Sequence, residues 1–256
     1  MQKRAPKSES RRPVAGDSEV EFLKSYDPSP FPHPSVSVDV VLLSVADRRL
    51  VTLLVRRTEH PDRGKWALPG GFVRLEESLD AAAARVLSSK AGLDGVFLEQ
   101  LYTFGDPGRD PRTRVITVAY YALVSQARFA AVVDLALQAR IVVPWAGETG
   151  GPVSAIATND EPLPLAFDHA RILGMAVQRL RGKLDYAPVG FQLLPEVFTL
   201  RDLQVVHETI LDRPLNKDSF RRRMLATGRL RGTGRRQDEV GHRPAELFRF
   251  AKGSAT

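Results

Sequence analysis

The sequence contains no cysteine among its 256 residues, and only two tryptophans and three methionines. The absence of cysteine excludes disulfides, zinc–thiolate sites and thiol catalysis. No apolar run approaches the roughly 18–20 residues that a membrane span requires. The basic N-terminus, MQKRAPKSESRRPVAG, is not followed by the apolar segment of a secretory signal. These absences favour a protein of the reducing cytoplasm that has no membrane partner.

Positive charge is concentrated near the C-terminus. The formal net charge is +7, and residues 213–236 hold nine cations and a single anion, Asp218. A basic block beside a nearly neutral body favours a nucleic acid as the partner of that block. A solvated arginine-rich face has the same composition, and composition alone does not separate the two interpretations.

The sequence pattern divides the chain into three parts. Residues 1–34 mix Lys, Arg, Ser and Pro, which predicts a flexible basic arm. Residues 35–187 predict one domain, with Val- and Leu-rich strands at 36–46, 50–57, 96–106, 114–124 and 140–145. A helix is predicted from the N-cap Ser78 to Ala91, with Gly92 as C-cap, and a second helix over 167–184. Between the last strand and that helix, residues 146–166 predict a long irregular loop.

Residues 188–256 predict a winged helix-turn-helix domain, because two short helical segments are followed by two short strands. Thr199 is placed to cap a helix that starts at Leu200. In the second helix, Phe220, Met224 and Leu225 are spaced to pack inward, which leaves basic and polar side chains on the other faces. Phe248 and Phe250 are also expected to lie in the core.

A basic second helix fits the major groove of DNA, and a basic hairpin tip is suited to phosphate or minor-groove contact. A winged helix can also dock proteins, and the charge of residues 213–236 argues against that alternative. The predicted DNA-binding residues are Thr199, Asn216, Lys217, Ser219, Arg221, Arg222, Arg223, Arg235, Arg236 and Arg243.

The stretch GGFVRLEESLDAAAARVLSSKAGL, residues 70–93, predicts a tight glycine loop that leads into a helix. Such a helix start favours an anion. Positions 86, 89 and 90 would lie together on the helix, where acidic residues could share a hard metal ion such as Mg²⁺. They are Val86, Ser89 and Lys90 instead, so no metal site is predicted here.

The same stretch resembles the Nudix box, in which Gly71, Glu77, Arg85, Leu87, Gly92 and Leu93 fit at the right spacing. Val86, Ser89 and Lys90 replace the three box glutamates that are the principal metal ligands in the Nudix family. The resemblance therefore implies a Nudix fold without hydrolase activity or catalytic residues. Without a metal, Glu77 and Arg85 are expected to brace the loop against the helix as an ion pair.

The loop GDPGRDPRTR, residues 105–114, is similar to a run found in Nudix proteins of the ADP-ribose class. The resemblance implies contacts to adenine, ribose or diphosphate, since an arginine fork suits diphosphate and an aromatic face suits adenine. Solvated loop charges are the alternative. The candidate ligand-binding residues are Arg57, Trp66, Gly70, Gly71, Glu77, Arg85, Lys90, Phe104, Asp106, Arg109 and Asp110.

Together the two halves resemble the Nudix-related transcriptional regulators of NAD metabolism, the NrtR family. The resemblance rests on the degenerate box, LPLAFDHARIL, FQLLPEVFTLRDLQVVHETIL, LNKDSFRRRML and HRPAELFRF. It implies an α+β protein, in which a Nudix-like α/β/α sandwich with a mixed sheet precedes a winged helix-turn-helix. It also implies a homodimer, a palindromic double-stranded DNA operator near NAD-biosynthesis genes, and ADP-ribose or a related nucleotide as effector, with no cofactor.

The sequence is therefore interpreted as a cytoplasmic repressor that senses an ADP-ribose-like metabolite. Two alternatives stay open at this point. One is an ADP-ribose pyrophosphatase with an added nucleic-acid-binding domain, and the other is a protein-docking adaptor.

Overall fold

The computed structural model describes residues 18–132, 136–237 and 244–251, and the chain divides into two compact units after His33. The first unit contains helix α1, Glu19–Ser25. The Ser18 hydroxyl accepts the Glu21 N–H, and the Glu21 carboxylate accepts the Ser18 N–H. This capping box explains why a helix forms where the sequence predicted a flexible arm. Residues 1–17 of the predicted arm lie outside the described residues.

The second unit is built on a mixed sheet. Its strands are β1 (Ser35–Ala46), β2 (Arg49–Arg56), β3 (Trp66–Ala67), β4 (Gly70–Phe72), β5 (Phe97–Phe104), β6 (Val115–Leu123), β7 (Leu137–Val142), β8 (Ser154–Ile156) and β9 (Pro162–Leu163). The strand order is β5-β6-β1-β2-β7-β8-β9, with β3 beside β2 and β4 beside β1. The pairing of β1 with β6 is parallel, whereas β1 pairs with β2 and β4 in antiparallel fashion.

Helices cover both faces of this sheet: α2 (Leu79–Ala91) and α3 (Gln126–Ala130) on one, and α4 (His169–Lys183) on the other. Successive strand residues point to opposite faces. Accordingly Val38, Val40 and Leu42 pack in the cluster of α2, whereas Val41 and Leu43 pack in that of α4. The predicted α/β/α sandwich with a mixed sheet is confirmed.

The caps of α2 are as predicted. The Ser78 hydroxyl accepts the Ala81 N–H at 3.1 Å, and Gly92 ends the helix in the left-handed region with φ of 61°. The prediction of an irregular loop over 146–166 is wrong in part, because β8 and β9 lie within it. Those strands are only three and two residues long, and β8 forms through pairing with β7 rather than through a local pattern.

The C-terminal domain starts with a 3₁₀ turn at Pro188–Leu193. Strand β10 (Phe198–Thr199), helices α5 (Leu200–Leu211) and α6 (Lys217–Ala226), and strands β11 (Leu230–Arg236) and β12 (Glu246–Phe250) follow. The three strands form a sheet in the order β10-β12-β11. This is the predicted winged helix, with α6 as the second helix and the hairpin of β11 and β12 as the wing.

A small apolar core holds the winged helix together. Phe220, Met224 and Phe248 are buried in it, and the ring of Phe250 stacks on that of Phe191 with centroids 4.6 Å apart. The prediction that Leu225 packs inward is wrong, because 43% of its surface is exposed. Met224 already occupies the inward position on that turn, so the next residue along the helix points to solvent.

The two domains pack against each other, so the predicted boundary at residue 187 does not separate two independent cores. Val206 and Ile210 of α5 belong to the same apolar cluster as Leu180 and Val177 of α4. A hydrogen bond of 2.8 Å runs from Arg181 Nε to the Ile210 carbonyl near the end of α5. Among the described residues, no helix is both long and apolar enough to cross a bilayer.

His207 of α5 predicts how stability depends on pH. Burial, together with the charge of Arg223, lowers the pKa of His207 to about 4. In this pH range the His207 side chain is protonated in the unfolded state but neutral in the folded state. The free energy of unfolding therefore falls as the pH drops from about 6.5 to about 4. The loss from His207 amounts to about 3 kcal/mol at most. Urea unfolding of the wild type and of His207→Leu across this range should give a flatter pH dependence for the variant. Parallel curves would contradict the buried neutral histidine.

Candidate ligand cleft and candidate nucleic-acid interface

A cleft of about 390 Å³ opens where β1, the end of β2, β4 and the loop 105–114 meet. Its lining includes Asp39 of β1, Gly70 and Gly71 of β4, Arg109 and Arg112 of the loop, Phe167 from the segment before α4, and His169 at the start of α4. The lining thus combines elements that are far apart in the sequence.

A buried charge network forms the floor of the cleft. Asp39 is 7% exposed, accepts a hydrogen bond from Thr117 Oγ1 at 2.7 Å and lies 3.6 Å from Arg109 Nη2. The guanidinium of Arg109 also donates to both oxygens of Asp168, at 3.0 and 2.7 Å. One cation therefore lies between two carboxylates. Buried charges persist only where such partners compensate their lost hydration.

His169 completes this floor as a neutral imidazole. Its Nδ1 accepts the Leu68 N–H at 2.9 Å, so the proton of the ring is carried by Nε2, which lies 3.7 Å from Asp39 Oδ1. Burial lowers the pKa of His169, and the charges of Asp39 and Asp168 oppose that effect. The ring thereby fixes the backbone before the glycine loop to the start of α4.

Arg57 and Phe167 form one wall of the cleft. The Arg57 guanidinium lies over the Phe167 ring, 4.7 Å from its centroid, and its Nε donates to the Pro61 carbonyl at 2.8 Å. Phe167 has φ of 51°, and its N–H donates to Asp62 Oδ2 at 2.9 Å. This wall presents a fixed cation and an aromatic ring, which suit an anionic group and a flat base.

The loop 105–114 is organised by its own ion pairs. Asp110 is buried and accepts two hydrogen bonds from the Arg112 guanidinium, at 3.0 and 2.7 Å, which lower the pKa of Asp110. The Arg112 guanidinium also lies 5.8 Å from the centroid of the Phe72 ring. Asp106 is exposed and pairs with Arg171 of α4. Asp110 therefore lines the cleft and also holds the Arg112 guanidinium in place.

Glu77 and Arg85 form the brace that the sequence analysis expected. Arg85 Nε donates to Glu77 Oε2 at 2.8 Å, and its Nη2 donates to the Phe72 carbonyl at 3.1 Å. The hydrogen bond from Arg85 lowers the pKa of Glu77 to about 2, so this carboxylate is ionised at neutral pH. The pair joins the glycine loop to α2.

The three altered box positions differ in environment. Val86 is 1% exposed and belongs to the core under α2, and the Ser89 hydroxyl donates to the Val86 carbonyl at 3.2 Å. Lys90 is exposed and lines the cleft. Within residues 18–132, 136–237 and 244–251, no group of three or more His, Cys, Asp or Glu residues is arranged to hold a metal ion.

The predicted ligand-binding residues are only partly gathered in the cleft. Those that line it are Arg57, Gly70, Gly71, Lys90, Arg109 and Asp110. Glu77 and Arg85 brace the loop, Asp106 lies at the surface, and Trp66 and Phe104 pack against the apolar cluster of α4. The sequence analysis missed Asp39, Arg112, Phe167, Asp168 and His169. Two features of the sequence could have indicated these residues. One is a charged residue within an apolar strand, and the other is the run Phe-Asp-His at the start of a helix.

Helix α6 presents a basic surface. Asn216 caps it by accepting the Ser219 N–H at 3.0 Å, which leaves the helix start open to solvent. Every predicted contact residue on it is exposed: Lys217, Ser219, Arg221, Arg222 and Arg223. Arg223 pairs with Asp185 at 3.1 Å, whereas no carboxylate of the described residues lies within 4 Å of Lys217, Arg221 or Arg222.

The wing adds two more exposed arginines. Arg235 and Arg236 lie at the end of β11, next to Gly234, whose φ of 73° accompanies an irregularity in the pairing with β12. The predicted contact residue Arg243 lies outside the described residues. Lys217, Arg221 and Arg236 all border one cavity between α6 and the wing, so the helix and the hairpin form a continuous basic surface.

Thr199 has a structural role that differs from the predicted DNA contact. Its residue is 3% exposed, and its hydroxyl accepts the Asp202 N–H at 3.1 Å and donates to Asp202 Oδ2 at 2.9 Å. This confirms Thr199 as the cap of α5. A buried hydroxyl with both hydrogen bonds satisfied is not free to reach a phosphate.

Comparison with known proteins supports both halves of this description. The NUDIX domain family matches residues 33–135, and the NrtR DNA-binding winged helix domain matches residues 190–250. The chain is 39% identical over 237 residues to the ADPR responsive transcriptional repressor NtrR of Acinetobacter baylyi, covering 91% of this chain and 89% of that relative. It is 30% identical over 141 residues to an ADP-ribose pyrophosphatase of Methanocaldococcus jannaschii, covering 55% of this chain and 72% of that relative.

A solved structure resembles most of the chain. The crystal structure of Shewanella oneidensis NrtR complexed with a 27mer DNA superposes with a TM-score of 0.68 at 37% identity, covering 84% of this chain and 93% of the other. A Nudix domain followed by a winged helix defines a class of two-domain transcriptional regulators. Within that class, the chain belongs to the NrtR family.

Gly70 provides a test of the cleft floor. A Cβ at this position would lie 2.2 Å from Asp39 Oδ1 and 3.0 Å from the Val38 carbonyl oxygen. Because Thr117 and Arg109 hold the Asp39 carboxylate, we expect Gly70→Ala to lower the free energy of unfolding by about 1–3 kcal/mol. Gly108→Ala is the matched control, since its Cβ would meet nothing within 4 Å. Equal unfolding midpoints in urea for the two variants would contradict the close approach.

Proposed function

We propose that this protein is a transcriptional repressor of NAD biosynthesis or salvage genes. Its winged helix binds an operator, and its Nudix domain binds ADP-ribose or a related nucleotide without hydrolysing it. The main support for DNA binding is the exposed basic face of α6. Lys217, Arg221 and Arg222 are exposed there without a carboxylate within 4 Å among the described residues. Exposed cations of this kind are available to phosphates and base edges.

The relatives support the same assignment. The Acinetobacter baylyi protein, which this chain covers almost end to end, is named as an ADPR responsive repressor. The Shewanella oneidensis structure contains a 27mer DNA. We propose a homodimer on a palindromic operator, since a two-fold symmetric dimer presents two copies of α6 to two half-sites.

The cleft supports a nucleotide ligand. Arg57 over Phe167, Arg112 and Lys90 place three cations and an aromatic ring around one opening. A diphosphate between two sugars requires such cations, and adenine requires a flat apolar partner. Asp39 and Asp168 are already engaged by Arg109, so they hold the floor rather than repel the ligand.

The proposal that the nucleotide is not hydrolysed rests on the side chains at the box positions. Hydrolysis of a diphosphate in this fold would require carboxylates to hold Mg²⁺. Val86 offers a buried hydrocarbon, Ser89 a hydroxyl engaged with the backbone, and Lys90 an ammonium beside the cleft. The M. jannaschii relative is named as a pyrophosphatase, so hydrolysis is the second candidate function, and it is tested directly below.

The DNA interface is tested with Arg222→Ala. Fluorescence anisotropy on a labelled fragment of the gene's own upstream region, with binding located by footprinting, should show binding weakened about tenfold at about 150 mM salt. The slope of log affinity against log salt should become shallower by about one unit. The control is Arg128→Ala, which removes an equal charge from α3. Unchanged affinity in Arg222→Ala, or binding that does not depend on salt, would contradict the proposed interface.

The cleft is tested with ADP-ribose. Calorimetric titration should show binding to the wild type, and Arg57→Ala should weaken it about tenfold by removing one charge-assisted contact. Arg128→Ala should bind as the wild type does. Incubation with Mg²⁺ or Mn²⁺ followed by chromatography should leave ADP-ribose intact. Turnover at about 1 per second or faster, an ordinary enzyme rate, would establish the pyrophosphatase instead.

A further inference from the structure

A second basic cavity lies where the Nudix domain meets the winged helix. It has a volume of about 540 Å³ and is bordered by the turn between β1 and β2, by β7, by α4 and by the end of α5. Five arginines line it, against the two carboxylates of Glu208 and Asp212: Arg48, Arg49, Arg140, Arg181 and Arg213. This cavity shares no lining residue with the cleft described above.

Arg181 is the residue that points to a ligand. It is 3% exposed, and no carboxylate oxygen of the described residues lies within 4 Å of its guanidinium. Its hydrogen bonds go to three backbone carbonyls, those of Ile210 at 2.8 Å, Gly147 at 2.9 Å and Trp145 at 3.3 Å. Its Nη2 donates to none of the described residues. Burial lowers the pKa of Arg181, and the charge of Asp212 opposes that effect without cancelling it. An anion in the adjoining cavity would therefore stabilise the buried guanidinium.

The other arginines leave further donors at the cavity. Arg140 pairs with Asp160 through Nη2 at 2.7 Å, but its buried Nε has no partner among the described residues. Arg48 lies in the two-residue turn between β1 and β2. Its φ of 58° is in the left-handed region, which is uncommon for residues other than glycine. Its Nη2 is 4.0 Å from Glu208, a separation too long for a strong pair.

The two carboxylates at the cavity offset only part of this positive charge. Glu208 Oε1 accepts the Leu215 N–H at 3.0 Å and Gln204 Nε2 at 2.9 Å, so it is committed to the connection between α5 and α6. Asp212 ends α5 in the left-handed region, with φ of 53°. Five arginines against Glu208, Asp212 and the Asp160 that pairs with Arg140 leave an excess of two positive charges at the junction.

We propose that this junction cavity binds a phosphate-bearing anion, with diphosphate as its simplest form, and that the bound anion joins the two domains. Arginine forks match phosphate oxygens in geometry as well as in charge. Arg48, Arg140 and Arg181 belong to the Nudix domain, whereas Arg213 follows α5 of the winged helix. A ligand held by both sides stabilises the arrangement in which they are close, and so biases the orientation of the DNA-binding domain.

The test titrates diphosphate into the full chain at constant ionic strength, by calorimetry. The background variant is Arg57→Ala/Arg112→Ala, which removes two of the arginines that line the cleft and so reduces the contribution of the cleft to diphosphate binding. In this background we expect a single site and a rise in the thermal unfolding midpoint with diphosphate. Adding Arg48→Ala and Arg213→Ala should weaken binding at least about tenfold, because each removed guanidinium loses a charge-assisted contact.

The matched control adds Arg63→Ala and Arg128→Ala to the same background, which removes equal charge from the surface of the Nudix domain. It should bind diphosphate as the background does, and unfolding midpoints without ligand will show that each variant is folded. The proposal is overturned if the control pair weakens binding as much as the junction pair. It is also overturned if the added Arg48→Ala and Arg213→Ala leave the affinity for diphosphate unchanged, or if the Arg57→Ala/Arg112→Ala background itself no longer binds diphosphate. The ADP-ribose titration of the cleft is a separate measurement, so either site can fail without the other.

Discussion

A single carboxylate in the central strand governs how the cleft is built. Asp39 is buried in β1 between Val38 and Val40, which pack in the cluster of α2, and an ionised group is stable there only with partners. Thr117 supplies a hydrogen bond, Arg109 supplies the counter-charge, and Asp168 holds Arg109 from its other side. Gly70 must lack a side chain because the Asp39 carboxylate occupies that space. The ion pairs of the floor therefore fix the loop 105–114 and the start of α4 against the glycine loop, and the candidate ligand-binding residues lie around them.

The substituted box positions fit this floor in different ways, which bears on the proposed loss of hydrolysis. Val86 contributes to the core, and its Cγ2 would lie 3.4 Å from a Cβ built on Gly71. A glutamate there would bury a charge beside a glycine loop that already lies over Asp39. Lys90 instead puts a cation at the edge of the cleft. Under the proposed function, the same loop and helix keep the shape that receives a diphosphate, while the electrostatics favour binding over the assembly of metal ions.

Local signals in the sequence predicted local structure well. The caps at Ser78, Gly92 and Thr199 follow from side chains and backbone a few residues apart, so the pattern alone locates them. The strand β1 follows from its Val- and Leu-rich composition, and the brace of Glu77 and Arg85 was expected from their positions in the box. The floor of the cleft could not be predicted in the same way, because Asp39, Arg109 and Asp168 are brought together by the sheet and not by sequence spacing. The short strands β8 and β9, and the exposure of Leu225, likewise depend on tertiary partners.

Helix α5 connects the Nudix domain to the winged helix. Val206 and Ile210 of α5 pack in the core of the Nudix domain, and Arg181 donates to the Ile210 carbonyl near the end of the same helix. Helix α5 is therefore part of both domains, and α6 is packed against α5 through Phe220 and the ring of His207. A ligand alters DNA binding only by favouring one arrangement of these helices over another. Because the Ile210 carbonyl of α5 accepts a hydrogen bond from the buried Arg181 guanidinium, we expect a change in the charge around Arg181 to act on the helix that positions α6.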